Sequence, residues 1–300
     1  MHGVDIIDWK LIGSCNLRCF HCYGPPKTEK ALSLPLLYQI IERFAQLKPD
    51  WVVLTGGEPL TVKGIDEVMG RLTNIGAKIA LSTNTSFFRE YKGVIEQHVS
   101  SLNIPLDGST PRIHSLSRDD ESTYHTFFDV LKFYKENPIN KPELLRVGTV
   151  YSATTRDDLV SIAQRLNPFA EIIDQWKIYE LIDYEFQRNI RRPIIIEAGE
   201  FQQQTSGLLK HLGDSALASK VMFSPAQVRD KAYFMINPRG LVVIPTDIEG
   251  ITYEISIGDI LNDSLEIIIQ RWNEQVNSSL YQVNHSHYDR KGKNVRLKNI

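Results

Sequence analysis

Outside residues 15 to 22 the sequence contains no cysteine. A disulfide framework is therefore excluded, and three thiols confined to one short stretch read as metal ligands in a reducing compartment. No apolar run approaches the roughly 18 residues that a bilayer-spanning helix needs, so no membrane partner is expected. Met1-His2-Gly3-Val4-Asp5 lacks the basic and apolar regions of a secretory signal, and the expected location is cytoplasmic. There is little excess charge. A formal net charge of −2 over 300 residues sets up no field toward nucleic acid or anionic lipid, which disfavours a nucleic-acid partner. Only the end is locally basic, through Arg290, Lys291, Lys293, Arg296 and Lys298, and this tail is expected to be mobile. Internal repeats and low-complexity tracts are lacking too. What remains, 42% hydrophobic and 23% charged, is an ordinary globular composition.

The cysteines stand in Gly13-Ser14-Cys15-Asn16-Leu17-Arg18-Cys19-Phe20-His21-Cys22-Tyr23-Gly24. Three thiolates on one loop leave a tetrahedral or cluster site one ligand short, and an open metal position is where chemistry happens. The same triplet with His21 also fits a closed structural zinc site.

The first two thirds of the chain alternate apolar runs with amphipathic stretches. Strands are expected at Ile6–Ile12, Trp51–Leu54, Lys78–Ser82, Ser101–Leu106, Leu145–Tyr151 and Gln175–Leu181. Helices are expected at Pro35–Leu47, Val62–Leu72, Thr123–Tyr134 and Asp157–Leu166. Strand–helix units in series predict an α/β fold, a partial (β/α)6 TIM-like barrel, whose sites lie at the C-terminal strand ends. The cysteines, Gly56-Gly57-Glu58, Ser82-Thr83-Asn84 and Asp107-Gly108 all fall at such ends. After about residue 205 the pattern changes: Tyr233–Ile236, a turn at Asn237-Pro238-Arg239-Gly240, and Leu241–Ile244 read as a hairpin, and Ser264–Val276 as a helix. The expected division is a core domain over 1–205 and a small α+β C-terminal extension over 206–300.

The string Cys15-x-x-x-Cys19-x-x-Cys22 resembles the cluster motif of the radical S-adenosylmethionine (SAM) superfamily, and Cys-Asn-Leu-Arg-Cys-x-His-Cys-Tyr is similar to its peptide- and haem-modifying members. Gly56-Gly57-Glu58-Pro59, Ser82-Thr83-Asn84 and Leu106-Asp107-Gly108 resemble the later motifs, in the same order, so that the resemblance covers roughly residues 5 to 182. It implies one [4Fe–4S] cluster held by Cys15, Cys19 and Cys22, with SAM on the open iron. Reductive cleavage of SAM would then give a 5′-deoxyadenosyl radical. Gly56 and Gly57 are implied near the methionine part of SAM, Glu58 at its ammonium, and Ser82 and Asn84 at its ribose or carboxylate. Phe20, His21 and Asp107 are further cofactor-side candidates. Arg118, in His114-Ser115-Leu116-Ser117-Arg118, resembles an arginine that approaches the SAM carboxylate. Thr149 and Tyr179 are candidate substrate contacts, against the alternative of core packing.

The C-terminal third resembles the SPASM/twitch-like extension of peptide-maturing relatives. Thr246 stands where a cysteine would be expected, so no auxiliary cluster is expected through cysteine. Without a fourth cysteine, epimerisation quenched by a cysteine hydrogen donor is disfavoured. The resemblance implies hydrogen abstraction from a ribosomally made peptide, with a reducing protein such as flavodoxin or ferredoxin as electron donor. The chain starts with its first strand, so a peptide substrate is expected to need a separate leader-recognition partner or direct docking. The alternatives are a small-metabolite dehydrogenase, dehydratase or epimerase acting on a sugar, nucleoside or nucleotide, and a non-catalytic metal-binding or sensor protein.

Overall fold

A computed structural model describes residues 3–185, 194–286 and 288, and the expected mobile tail lies outside the described residues. Strands β1 (Ile6–Ile12), β2 (Trp51–Gly56), β3 (Lys78–Ser82), β4 (Val99–Pro105), β5 (Leu144–Tyr151) and β6 (Gln175–Glu180) are those expected, to within a few residues. They are followed by β7 (Asp183–Tyr184), β8 (Val221–Ser224), β9 (Met235–Ile236), β10 (Leu241–Ile248) and β11 (Ile251–Asp259). The helices are α1 (Leu34–Leu47), α2 (Ile65–Asn74), α3 (Phe88–His98), α4 (Pro111–Arg118), α5 (Ser122–Glu136), α6 (Leu159–Leu166), α7 (Glu200–Leu212), α8 (Leu265–Gln275) and α9 (Ser278–Ser286).

The chain forms two compact units. One comprises Met1–Ser14, Gly24–Ile79 and Gln227–Ile300, the other Cys15–Tyr23 and Ala80–Ala226. Strand β9 returns to pair with β1, Asp8 facing Met235 and Trp9 facing Ile236.

In the first unit β1 also pairs in parallel with β2, and β10 pairs antiparallel with β9 and β11. Helix α1 covers β1. Its Leu37, Ile40, Ile41 and Phe44 recur at helical spacing and are buried, and Phe44 meets Trp9 edge-to-face at 5.1 Å. Burying one such side chain stabilises by roughly 1.5–3 kcal/mol, so Phe44→Ala would loosen α1 from the sheet. Lys48, in the left-handed conformation, ends the helix ahead of Pro49. Lys10, on the opposite face of β1 from Trp9, is 1% exposed, and its ammonium lies 2.5 Å from Glu254 on β11. Neither charge is therefore buried without an opposite one nearby.

In the second unit β4, β5, β6 and β8 run parallel in that order. The two faces of β5 and β6 differ. Thr149, Tyr151 and Trp176 point to the helix side, where Tyr151 packs on Phe201 of α7. Gly148 and Lys177 pair on the other face, where Tyr179 stands beside Gly148. Helix α5 seals the layer with Tyr124, Phe127, Phe128, Val130, Leu131 and Tyr134. Tyr151 also donates to Glu200, which Arg156 grips through two further bonds of 2.7 Å, tying the start of α7 to the segment after β5. Among the described residues, no helix is long and apolar enough to cross a membrane.

Candidate active site

Strand β2 ends in a backbone arrangement that only glycine permits. Gly56 has φ +133°, outside the range of ordinary side chains. Gly57 is pressed onto the chain just before the cysteines: its N–H donates to Ile12 O at 2.5 Å, and Glu58 N–H donates to Ser14 O at 3.1 Å. A Cβ on Gly57 would lie 1.9 Å from Ser14 O. Glu58 is fully buried and caps the short turn after it, accepting from Leu60 N–H at 3.1 Å.

The cysteine loop, in the other unit, is held from several sides. Leu17 N–H approaches Cys15 Sγ at 3.4 Å, and Asn84 Nδ2 approaches it at 3.6 Å. Asn84 also donates to Asn16 Oδ1 at 2.7 Å, and Asn16 donates to Ser86 Oγ at 2.9 Å. Phe20, half-buried, donates its backbone N–H to Ser117 O at the end of α4, 2.7 Å away. These bonds fix both flanks of the loop; the Leu17 and Asn84 contacts aim donors at a sulfur that carries negative charge as a thiolate, and the Cys15 thiol faces Asn16 Oδ1 at 3.8 Å.

Asp107 is the electrostatic centre. It follows β4, is fully buried, and accepts from Arg118 Nε at 2.6 Å and Val150 N–H at 2.7 Å, with His21 Nε2 at 3.5 Å. Burial works to raise its carboxyl, but the neighbouring Arg118, His21 and His114 and the Val150 N–H outweigh it and hold the group below the usual carboxylate range. Arg118 Nη1 in turn stands 3.9 Å from Cys19 Sγ. Burial pushes the Cys19 thiol up to about 12, against the lowering effect of Arg118. His114 is pushed down to about 3 by burial and by Arg118, and so stays neutral. Its Nδ1 accepts from Asp107 N–H at 3.1 Å, which places its proton on Nε2, facing Thr123 Oγ1 at 3.1 Å.

Of the other expected residues, Ser82 Oγ accepts from Asn103 at 3.1 Å at the end of β3. Thr149 is fully buried. Its hydroxyl donates to Leu106 O at 2.6 Å and accepts from Trp176 Nε1 at 2.9 Å, so it braces the residue before Asp107 from the helix side. Tyr179 is half-buried on the opposite face of that sheet. The structure thus brings Cys15, Cys19, Phe20, His21, Asn84, Asp107 and Arg118 into linked contacts within one unit, and sets Thr149 apart in its core. Asn16 and Thr85 were not singled out by sequence. Thr85 lies between Asn84 and Ser86 at φ +72°, a costly position for a β-branched residue, and bonds Thr126 at 2.7 Å. A polar Asn within the cysteine string was the available signal for Asn16.

Among the described residues, no three His, Cys, Asp or Glu side chains are gathered tightly enough to hold a single metal ion.

The sequence profile of the radical SAM superfamily matches residues 9–166. Among curated relatives, a GTP 3′,8-cyclase from Pseudomonas entomophila is 35% identical over 123 residues, 38% of this chain and 37% of that protein. An AdoMet-dependent heme synthase from Oleidesulfovibrio alaskensis is 26% identical over 159 residues, 51% of this chain and 39% of that protein. The chain thus spans less than half the length of these curated relatives. Streptococcus suis SuiB bound to precursor peptide SuiA aligns with a TM-score of 0.68 at 10% identity, over 93% of this chain and 66% of that one. Native anSMEcpe with bound AdoMet aligns with a TM-score of 0.70 at 12% identity, over 95% and 86%. At such identities the likeness establishes the fold: an α/β fold with a mainly parallel sheet of the partial-barrel type, and antiparallel strands toward the C-terminus.

Proposed function

The chain belongs to the radical SAM superfamily, and from that premise we propose that it modifies a ribosomally made peptide by hydrogen abstraction. Its cofactors are a [4Fe–4S] cluster and SAM, with Cys15, Cys19 and Cys22 as cluster ligands. The residues present fit them: three cysteine thiols on one loop outside any disulfide, donors aimed at two of the sulfurs, and a glycine pair that leaves bare backbone beside the chain leading to Cys15. When bound, the pair supplies the 5′-deoxyadenosyl radical that takes a hydrogen atom from the substrate.

The protein's own contribution is orientation and a fixed electrostatic frame. Leu17 N–H and Asn84 orient Cys15, and Arg118 faces Cys19. We assign Gly56, Gly57 and Glu58 to the methionine part of SAM, Ser82 and Asn84 to its ribose or carboxylate, and Phe20 and His21 to its adenine side. Asp107 orients Arg118 and His21. Tyr179 offers a substrate contact from the non-helix face of β6, whereas Thr149 acts at one remove by bracing Leu106. A radical SAM enzyme requires a reductant, for which a flavodoxin or ferredoxin is suited. The cytoplasm, where cysteine thiols stay reduced, is the matching compartment.

The observation that carries the peptide reading is the reach of the fold likeness. Alignment to the peptide-bound SuiB structure runs over 93% of the chain, including its C-terminal third. A second reading, a nucleotide or other small metabolite as substrate, is favoured by the sequence match to the GTP 3′,8-cyclase. The test is anaerobic: reconstitute with iron and sulfide, reduce with dithionite, and supply SAM with candidate precursor peptides or with GTP. Formation of 5′-deoxyadenosine with a mass change in a peptide, absent in Cys19→Ala, supports the first reading. Consumption of GTP with peptides untouched replaces it by the second. Zinc in place of iron, with no cluster formed, sinks both.

A further inference from the structure

Arg118 has two partners in fixed geometry. Its Nε is bonded to Asp107 at 2.6 Å and its Nη1 faces Cys19 Sγ at 3.9 Å, with the arginine side chain 11% exposed and the aspartate fully buried. A guanidinium is planar and its donors diverge at set angles, so a carboxylate that anchors Nε also decides where Nη1 points. Asp107 cannot readily swing, because Val150 N–H holds its other oxygen at 2.7 Å. The same helix end supports the loop a second time, since Ser117 O accepts Phe20 N–H.

Resting on the cluster reading above, we propose that Asp107 positions Arg118 as a fixed cation on the Cys19 sulfur, and that this pair raises the cluster's reduction potential before SAM binds. Reduction adds negative charge to the cluster, and a nearby cation in a water-poor site favours the more negative form. Net charge and hydrogen bonds at the sulfurs are the protein's main means of setting such potentials. Arg118 thus acts on Cys19 whether or not it also meets the SAM carboxylate.

The measurement is an EPR-monitored redox titration of the reconstituted protein without SAM, beside iron and sulfide counts. At the potential where the wild type is half reduced, Arg118→Gln is expected to lower the reduced-to-oxidised ratio about tenfold, which is about 59 mV for a one-electron couple. Asp107→Asn keeps one acceptor oxygen to anchor Arg118 Nε while it removes the opposing charge, and is expected to move the ratio the other way by a few-fold. Arg118→Lys keeps the charge and is expected to stay within about threefold of wild type. An Arg118→Gln potential equal to wild type, with the cluster loaded, overturns the proposal, as do shifts of the same sign in Arg118→Gln and Asp107→Asn. If Arg118→Gln loads no cluster, the comparison rests on Arg118→Lys and Asp107→Asn, and an unmoved Asp107→Asn overturns it. A wild type that forms no cluster overturns the cluster reading instead.

Discussion

Gly57→Ala tests whether the chain before the cysteines is set by backbone contact with the end of β2. The added Cβ would lie 1.9 Å from Ser14 O and 2.5 Å from Gly13 O, both backbone atoms that no side-chain rotation can move. Real Cβ contacts essentially never fall below 3.0 Å, so Ser14 must retreat by at least 3.0 − 1.9 = 1.1 Å. That shift strains the Gly57–Ile12 and Glu58–Ser14 bonds, which now measure 2.5 and 3.1 Å. Overpacking of this kind costs roughly 1–3 kcal/mol, and two weakened bonds add about 1 kcal/mol or less each. The expected result is a metal-free protein less stable by about 2–4 kcal/mol in urea, with reduced iron uptake, because Ser14 is covalently joined to Cys15. Gly93→Ala is the control. Its Cβ meets nothing within 4 Å and it lies inside α3, so the change should stabilise by roughly 0.5–1 kcal/mol. A Gly57→Ala protein with wild-type iron content and stability within about 0.5 kcal/mol would refute the reasoning.

Thr149→Val leaves Leu106 O and Trp176 Nε1 without their buried partner and should destabilise by about 1–3 kcal/mol, seen as a lower urea midpoint; an unchanged midpoint contradicts the bracing role. Tyr281→Phe deletes the hydroxyl that accepts Asp5 N–H at 2.8 Å and Ile6 N–H at 2.9 Å, and hydrogen exchange at Ile6 should accelerate while exchange in β5 does not. Glu200 is lowered from 4.5 to about 2, chiefly by its bonds to Arg156. Its contribution to stability is therefore complete above pH 4.5 and fades as pH falls toward 2. The melting-temperature gap between wild type and Glu200→Gln should shrink across that window, and a gap that is constant with pH counts against the pairing.

The strands of the first two thirds were legible because each is a short apolar run between breakers: Ile6–Ile12 and Lys78–Ser82 fall where the pattern puts them. Helix α2 starts at Ile65 and not at Val62, because Gly64 takes a left-handed conformation just before it. Strand β11 escaped notice since it is only partly buried and mixes Thr252, Glu254 and Ser256 with its apolar residues. Its turn, Glu249-Gly250, adopts φ +53° and +80° without the Asn-Gly signature of such hairpins. In the site, the cysteines and the residue types of the later motifs could be read directly. The pairing of Asp107 with Arg118 could not. It depends on the short helix α4 turning the chain back over eleven residues, and a helix of eight mostly polar residues leaves little to read in the sequence.

The clamp between Tyr281 and the start of β1 constrains the order of events during synthesis. Strand β1 precedes its partners by a long stretch of chain: Met235 of β9 lies 227 residues beyond Asp8, and the tyrosine that holds the strand's entry lies 275 residues beyond Ile6. At roughly 5–20 residues per second, some tens of seconds separate the two on the ribosome. Through that interval the strand leading into the cysteines has one open edge, and the nascent thiols hang from an unfinished support. A truncation before residue 281 should therefore yield protein that takes up iron poorly although all three cysteines are present.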